Sequence, residues 1–210
     1  MVRRKLLTGS LTFLVGAGLA LAQSSRPLST TGTAATQVLG KWSGDPERRN
    51  YTDGKWIEVR YGRPILRTRT NIFGKGPDYG KAACAGAPVW RAGANETTRL
   101  KTDAALVIGG KRIEPGEYSL FVDLKETGWT LIVSNQPYQR SYNEEEKVAT
   151  WGAYNYDKKY DIVRVPMTML TPQVSVDQFT IGFADVTENS GKLVMAWEKT
   201  AAAVGFTASQ

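Results

Sequence analysis

The sequence predicts an all-β domain, an antiparallel β-sandwich or jelly roll with long connecting loops, following a cleaved signal peptide. Three observations lead there. Short runs of alternating apolar and polar residues recur between residues 56 and 199, with the two-residue period of half-buried strands. Gly, Pro, Asn and Asp separate those runs at intervals suited to tight turns. Beyond Gly54 no stretch of useful length carries a helical period. Short strands at this density point to two packed sheets.

The elements follow in order. Residues 1–22 read as an export signal: Arg3, Arg4 and Lys5 precede an apolar run, and Ala20-Leu21-Ala22 supplies a small-x-small cleavage pattern. Residues 23–36, rich in Ser, Thr, Ala and Gly, read as a flexible leader, and a single domain over 37–210 follows. A short strand is expected at 38–42, with turns through Gly54. Residues 56–61, W-I-E-V-R-Y, alternate as a strand. Residues 105–108 and 111–114 flank Gly109-Gly110, two glycines that suit the positive φ of a primed hairpin turn. Pro115-Gly116 is the next turn, with proline preset for its first central position.

Residues 117–124 place Tyr118, Leu120, Val122 and Leu124 on one face, and residues 129–133 place Trp129, Leu131 and Val133 likewise. Strands are also expected at 161–165, at 178–186 (Phe179, Ile181, Phe183 inward) and at 192–199 (Leu193, Met195, Trp197 inward), the last two joined by a turn at Asn189-Ser190-Gly191. Residues 204–206 read as a final edge strand. Two stretches do not fit a ladder. Residues 68–88 read as a long ordered loop, and residues 136–152 as a second with room for a short helix. Loops of this length in a sandwich are often functional.

Composition removes whole classes of chemistry. The chain has no histidine, which excludes imidazole acid–base catalysis, Ser-His-Asp triads and histidine-ligated metals. Its one cysteine, Cys84, permits neither an intrachain disulfide nor a cysteine-based metal site; a buried, inert thiol is expected. No metal and no cofactor are expected. Taking the three basic residues of the signal from 27 Lys and Arg against 20 Asp and Glu leaves a net charge of +4. That is too mild to imply nucleic acid. The expected location is periplasmic or secreted, with no transmembrane segment in the mature chain.

The chemistry-bearing stretch is residues 89–98, V-W-R-A-G-A-N-E-T-T. Trp90, Arg91, Asn95 and Glu96 offer a platform, a cation, an amide and a carboxylate around a Gly/Ala turn, which suits either a polar ligand pocket or a self-satisfied brace. Tyr61-Gly62-Arg63-Pro64 ends the preceding strand. Pro64 holds Arg63 extended, so its guanidinium is a candidate anion clamp; pairing of Arg63 or Arg91 with Glu96 is the structural alternative. Trp151 and Tyr154 are candidate aromatic platforms for a sugar ring, or core residues. Glu96 is the candidate general acid if the chain is an enzyme, with Asp157, Asp161 or residues 144–146 as the second carboxylate such hydrolysis requires.

Several separated segments, Y-G-R-P at 61–64, N-I-F-G at 71–74, V-W-R-A-G-A-N-E at 89–96, V-I-G-G-K at 107–111, P-G-E-Y-S-L-F at 115–121, W-G-A-Y at 151–154 and L-V-M-A-W-E-K-T at 193–200, occur in a fixed order. Together they resemble the secreted bacterial family known as domain of unknown function 2911, over about residues 56–206. The loop between Lys81 and Val89 is longer than in that family. The resemblance implies an exported, mostly β domain and carries no catalytic residues over. The resulting expectation is a non-catalytic β-sandwich that binds a small polar, anionic or glycan-like ligand through Tyr61, Arg63, Trp90, Arg91, Asn95, Glu96, Trp151 and Tyr154. The alternatives are a hydrolase or lyase using Glu96, and a purely structural envelope module.

Overall fold

A computed structural model describes residues 29–210. The expected signal at 1–22 and the first part of the leader lie outside the described residues. Fourteen strands form among the described residues: β1 Thr30–Val38, β2 Lys41–Ser43, β3 Asn50–Thr52, β4 Lys55–Arg63, β5 Thr98–Thr102, β6 Ala105–Ile108, β7 Lys111–Ile113, β8 Gly116–Lys125, β9 Gly128–Ser134, β10 Asp161–Pro166, β11 Thr168–Leu170, β12 Val176–Ala184, β13 Ser190–Glu198 and β14 Thr200–Ser209. One sheet runs β1-β4-β5-β8-β9-β10; the other runs β12-β13-β14-β6-β7, with β11 also on β14. All of their ladders are antiparallel. The β-sandwich expected from the strand pattern is the fold found.

Alternation explains the core between the sheets. Ile57, Val59 and Tyr61 of β4, Leu120 and Val122 of β8, and Trp129, Leu131 and Val133 of β9 face Phe179, Ile181, Leu193, Met195 and Trp197 of the opposite sheet, all buried in one cluster. Tyr61 also fastens the sheets together. Its hydroxyl donates to the Ile181 carbonyl at 3.2 Å and accepts from the Ile181 N–H at 2.9 Å. The Gly109-Gly110 turn forms as expected, with φ of +58° and +75° and Ile108 paired to Lys111.

Phe121 and Ile132 point out of the sandwich, yet they are buried in a second cluster with Val89 and Ala153. The segment after β9 folds back over them, so β8 and β9 are covered on both faces. Tyr156 is part of that cover, its ring 5.1 Å from Phe121. Its hydroxyl donates to Asp161 Oδ2 at 2.6 Å and accepts from Arg164 Nη1 at 3.0 Å. Burial, and then the Asp161 contact, push the phenol far above its ordinary pKa of about 10. The native state therefore keeps a proton that the unfolded chain loses above about pH 10, and stability falls as pH rises from there. Tyr118 is shifted the same way, mainly by burial. Urea titrations between pH 9 and 11 are expected to show this decline, and Tyr156→Phe is expected to flatten it.

Four expectations are corrected. Residues 30–36 of the expected leader are part of β1, which pairs with β4 along its whole length from Thr30↔Arg63 to Val38↔Lys55. The expected strand at 38–42 is interrupted at Leu39-Gly40, where Leu39 has a φ of +61° and the chain leaves β1 for β2. The expected edge strand at 204–206 belongs to the ten-residue β14, which lies between β13 and β6. No helix forms within 136–152; the only α-helix among the described residues, α1 (Lys81–Cys84), sits in the other long loop.

Candidate functional site

The 90–96 loop docks on two strands. Trp90 exchanges backbone hydrogen bonds with Val122 of β8, 2.8 Å each way, and so continues the sheet where β5 has ended. On its other side, Gly62 of β4 lies against the Ala94 backbone, where a Cβ on Gly62 would overlap the Ala94 carbonyl. The 61–63 segment thus touches the 90–96 loop through Gly62 and not through the expected side chains of Tyr61 and Arg63. Asn95 takes a φ of +63°, a conformation Asn tolerates better than most residues. Its Nδ2 donates to the Ser29 carbonyl at 3.2 Å.

Under this loop is a cleft of about 230 Å³. Trp90 and Trp197 lie at its base, Ile72, Ala82 and Ala83 belong to the 68–88 loop and its helix, and Arg69, Arg91 and Asn95 bring polar groups. Arg91 Nη1 donates to the Asn95 carbonyl at 3.0 Å, and its guanidinium lies 5.7 Å from the Tyr154 ring centroid. Gly152 makes room for it, since a Cβ there would sit 2.8 Å from Arg91 Cζ. Arg69 donates to the carbonyls of Ile65 and Leu66, and its guanidinium lies 5.8 Å from the Trp197 ring centroid.

Neither arginine has a carboxylate within ion-pair distance among the described residues. Arg60 and Arg99 reach Glu96, Arg112 reaches Glu114, and Arg164 reaches Asp123 and Asp161, while Arg48, Arg49, Arg63, Arg67 and Arg140 also lack an ion pair among the described residues; what distinguishes Arg69 and Arg91 is that they share one cleft. Two guanidiniums without internal acids, Arg69 against the Trp197 indole and Arg91 against the Tyr154 ring, form a cation-lined cleft with an apolar floor.

The eight expected site residues separate. Arg91, Asn95 and Trp90 line the cleft, with Trp90 as structural floor: it is 1 % exposed, and its Nε1 donates to the Gly93 carbonyl at 3.3 Å. Tyr154, 46 % exposed, braces Arg91 and donates to the Ala85 carbonyl at 3.3 Å. Trp151 pairs with Tyr142, ring centroids 6.1 Å apart, and is not part of the cleft lining. Tyr61, 3 % exposed, belongs to the sandwich core. Arg63 is also outside the cleft lining; its stem lies over Gly32 of β1 and its Nε is buried without a hydrogen-bond partner.

Glu96 belongs to another face. It accepts from Thr31 Oγ1 at 3.1 Å and Arg60 Nη2 at 3.4 Å, and lies 3.6 Å from Arg99 Nη2. The expected pairing of Arg63 or Arg91 with Glu96 is thus replaced by Arg60 and Arg99 from the outer face of β4 and β5. Of the carboxylates considered as its partners, Asp161 is engaged by Tyr156 and Arg164, Asp157 by Lys159, and Glu146 by the Val148 and Ala149 N–H groups. Cys84 is half-buried, and burial pushes its thiol up. Sequence reasoning missed Arg69, Trp197 and the Ala82–Ala83 wall. Arg69 stands in a run of basic residues that reads as a solvated face, and Trp197 in a strand pattern that reads as core.

Fold and cleft together define a two-sheet β-sandwich with a cationic cleft between the end of β4, the 68–88 loop and the 90–96 loop. The chain belongs to the family described as Protein of unknown function (DUF2911), whose model matches residues 45–206. No curated protein and no solved structure matches it. Among the described residues no helix is long and apolar enough to cross a membrane.

Proposed function

We propose that the protein binds a small organic anion, a carboxylate with an apolar portion, in the cleft under the 90–96 loop, and performs no chemistry on it. The observation that carries this reading is the pair Arg69 and Arg91, which share one cleft with no acidic partner for either. A guanidinium presents a planar fork of donors that matches a carboxylate, and the Ile72, Ala82 and Ala83 wall suits an apolar body. The volume is below the roughly 300–1,000 Å³ of sites for drug-sized ligands, which favours a compact ligand. The reading keeps the extracytoplasmic location that the N-terminal sequence predicts.

Thermal shift with acetate, succinate, citrate and benzoate tests it, with benzamide as the neutral control. At least one acid is expected to raise the melting temperature in a concentration-dependent way, and Arg91→Gln is expected to weaken that ligand about tenfold or more. Equal shifts with benzamide, or none with any acid, would sink the proposal. The bonds of Arg91 to Asn95 and of Arg69 to residues 65 and 66 favour a second reading, a brace. In that case Arg91→Gln costs about 1.5–3 kcal/mol of stability, the worth of a charged hydrogen bond, with no ligand effect in the parent protein.

A further inference from the structure

We infer a second binding site, for a neutral saccharide, at the β2–β3 hairpin. The hairpin stands off the sandwich and pairs Trp42 with Tyr51. Trp42 is 66 % exposed, its ring centroid 4.9 Å from that of Tyr51. Val186, 40 % exposed, borders the same concavity as Trp42, so the apolar surface there extends beyond one side chain.

The platform is built rather than incidental. Tyr51 is packed between two glycines: a Cβ on Gly40 would overlap its ring, and one on Gly54 would come within 2.6 Å. Its hydroxyl accepts from the Gly40 N–H at 2.8 Å. The ring that supports Trp42 is thereby fixed in place and angle. Facing it across a concavity of about 800 Å³ is the turn at Val186, Thr187 and Glu188. That turn is fixed as well, because Leu39 donates its N–H to the Glu188 carbonyl and Thr187 donates its own to Ser190 at 2.8 Å.

The rim decides the ligand class. Gln37, Lys41, Thr187 and Glu188 provide an amide, a cation, a hydroxyl and a carboxylate. The Thr187 hydroxyl is engaged by Ser190 within the turn, so Gln37, Lys41 and Glu188 are the groups that donate to and accept from hydroxyls, while an exposed indole face matches the C–H face of a sugar ring. An anionic lipid surface would instead call for clustered Lys and Arg, and the hairpin's connecting loop sets Asp45 and Glu47 against Arg48 and Arg49. The concavity is within the size range of small-molecule sites.

Isothermal titration calorimetry of the protein with cellohexaose, chitohexaose and maltohexaose tests the assignment, a readout that does not depend on the Trp42 fluorophore. At least one is expected to give a saturable change, and Trp42→Ala is expected to weaken it tenfold or more with an unchanged melting temperature. Arg91→Gln is expected to leave saccharide binding intact, which separates this site from the anion cleft. The assignment is overturned if none of the three binds, or if Trp42→Ala binds as well as the parent. Co-sedimentation of the parent, but not of Trp42→Ala, with neutral phosphatidylcholine vesicles would likewise overturn it in favour of a membrane-surface contact.

Discussion

Trp90→Ala is expected to lower the unfolding free energy by about 4 kcal/mol, near the middle of the range for removing a buried tryptophan. The Trp90 ring touches four other aromatics, with centroid distances of 5.5 Å to Phe73, 5.7 Å to Trp129, 4.9 Å to Phe179 and 6.4 Å to Trp197. Phe73 comes from the 68–88 loop, Trp129 from β9, and Phe179 and Trp197 from the opposite sheet. Deleting the indole therefore opens a void where three parts of the fold converge, and the surrounding rings are too rigid to close it fully. Edge-to-face pairs add to the loss beyond the area exposed. Urea unfolding measures the effect. The substitution is also expected to abolish carboxylate binding, because the same indole lies under the cleft. A loss below about 1 kcal/mol would mean that the cluster is not the structural centre described, the usual cost of a well-tolerated change. Trp90→Phe, which keeps a ring, is expected to cost about half as much.

How much of this was readable in advance depends on whether a residue's role is local. β4, β8, β9, β12 and β13 have apolar alternation of their own, so each strand was visible alone. β1 has almost none. Its T-T-G-T-A-A-T-Q-V sequence is a strand because β4 offers an open edge along nine residues, and backbone pairing leaves no trace in side-chain pattern. β14 was mistaken for an edge because its Ala201–Ala203 run has low β propensity; burial on both sides overrides that weakness. Site residues divide in the same way. Tyr61 is expected at the ligand site from the sequence, although its parity with Ile57 and Val59 marks it as inward, and it is buried in the core. The displacement of Glu96 was not legible, because its partners Arg60 and Arg99 become neighbours only through the β4–β5 ladder. Pairing order is not encoded in any one strand. Arg91 and Asn95 fall together on the cleft lining because the turn that positions them is local, whereas Arg69 reaches the cleft through a fold of the 68–88 loop that no periodicity announces.

Gly62→Ala is expected to cost about 3 kcal/mol, at the upper end of ordinary overpacking. A single methyl group would have so large an effect because of what it meets. The added Cβ would overlap the Ala94 carbonyl oxygen and lie 2.7 Å from the carbonyl carbon and 3.0 Å from the Ala94 nitrogen. These are backbone atoms, so no side chain can swing aside. Relief on the loop side is limited as well: a Cβ on Gly93 would lie 2.7 Å from the Gly62 carbonyl oxygen, and Trp90 pins the loop to Val122 four residues before Ala94. The strand cannot yield either, because Tyr61 is bonded to Ile181 across the sandwich. The loop must lift, carrying Arg91 and Asn95 with it. Two readouts are therefore expected to move together: the urea midpoint falls, and carboxylate affinity drops about tenfold or more at temperatures where the variant is still folded, as displacement of positioned groups by an ångström does elsewhere. Retained stability with retained binding would show that the 90–96 loop is not seated on β4. Lost stability with unchanged binding would show that the cleft does not depend on that seat, and would favour a ligand held by Arg69 and Trp197 alone.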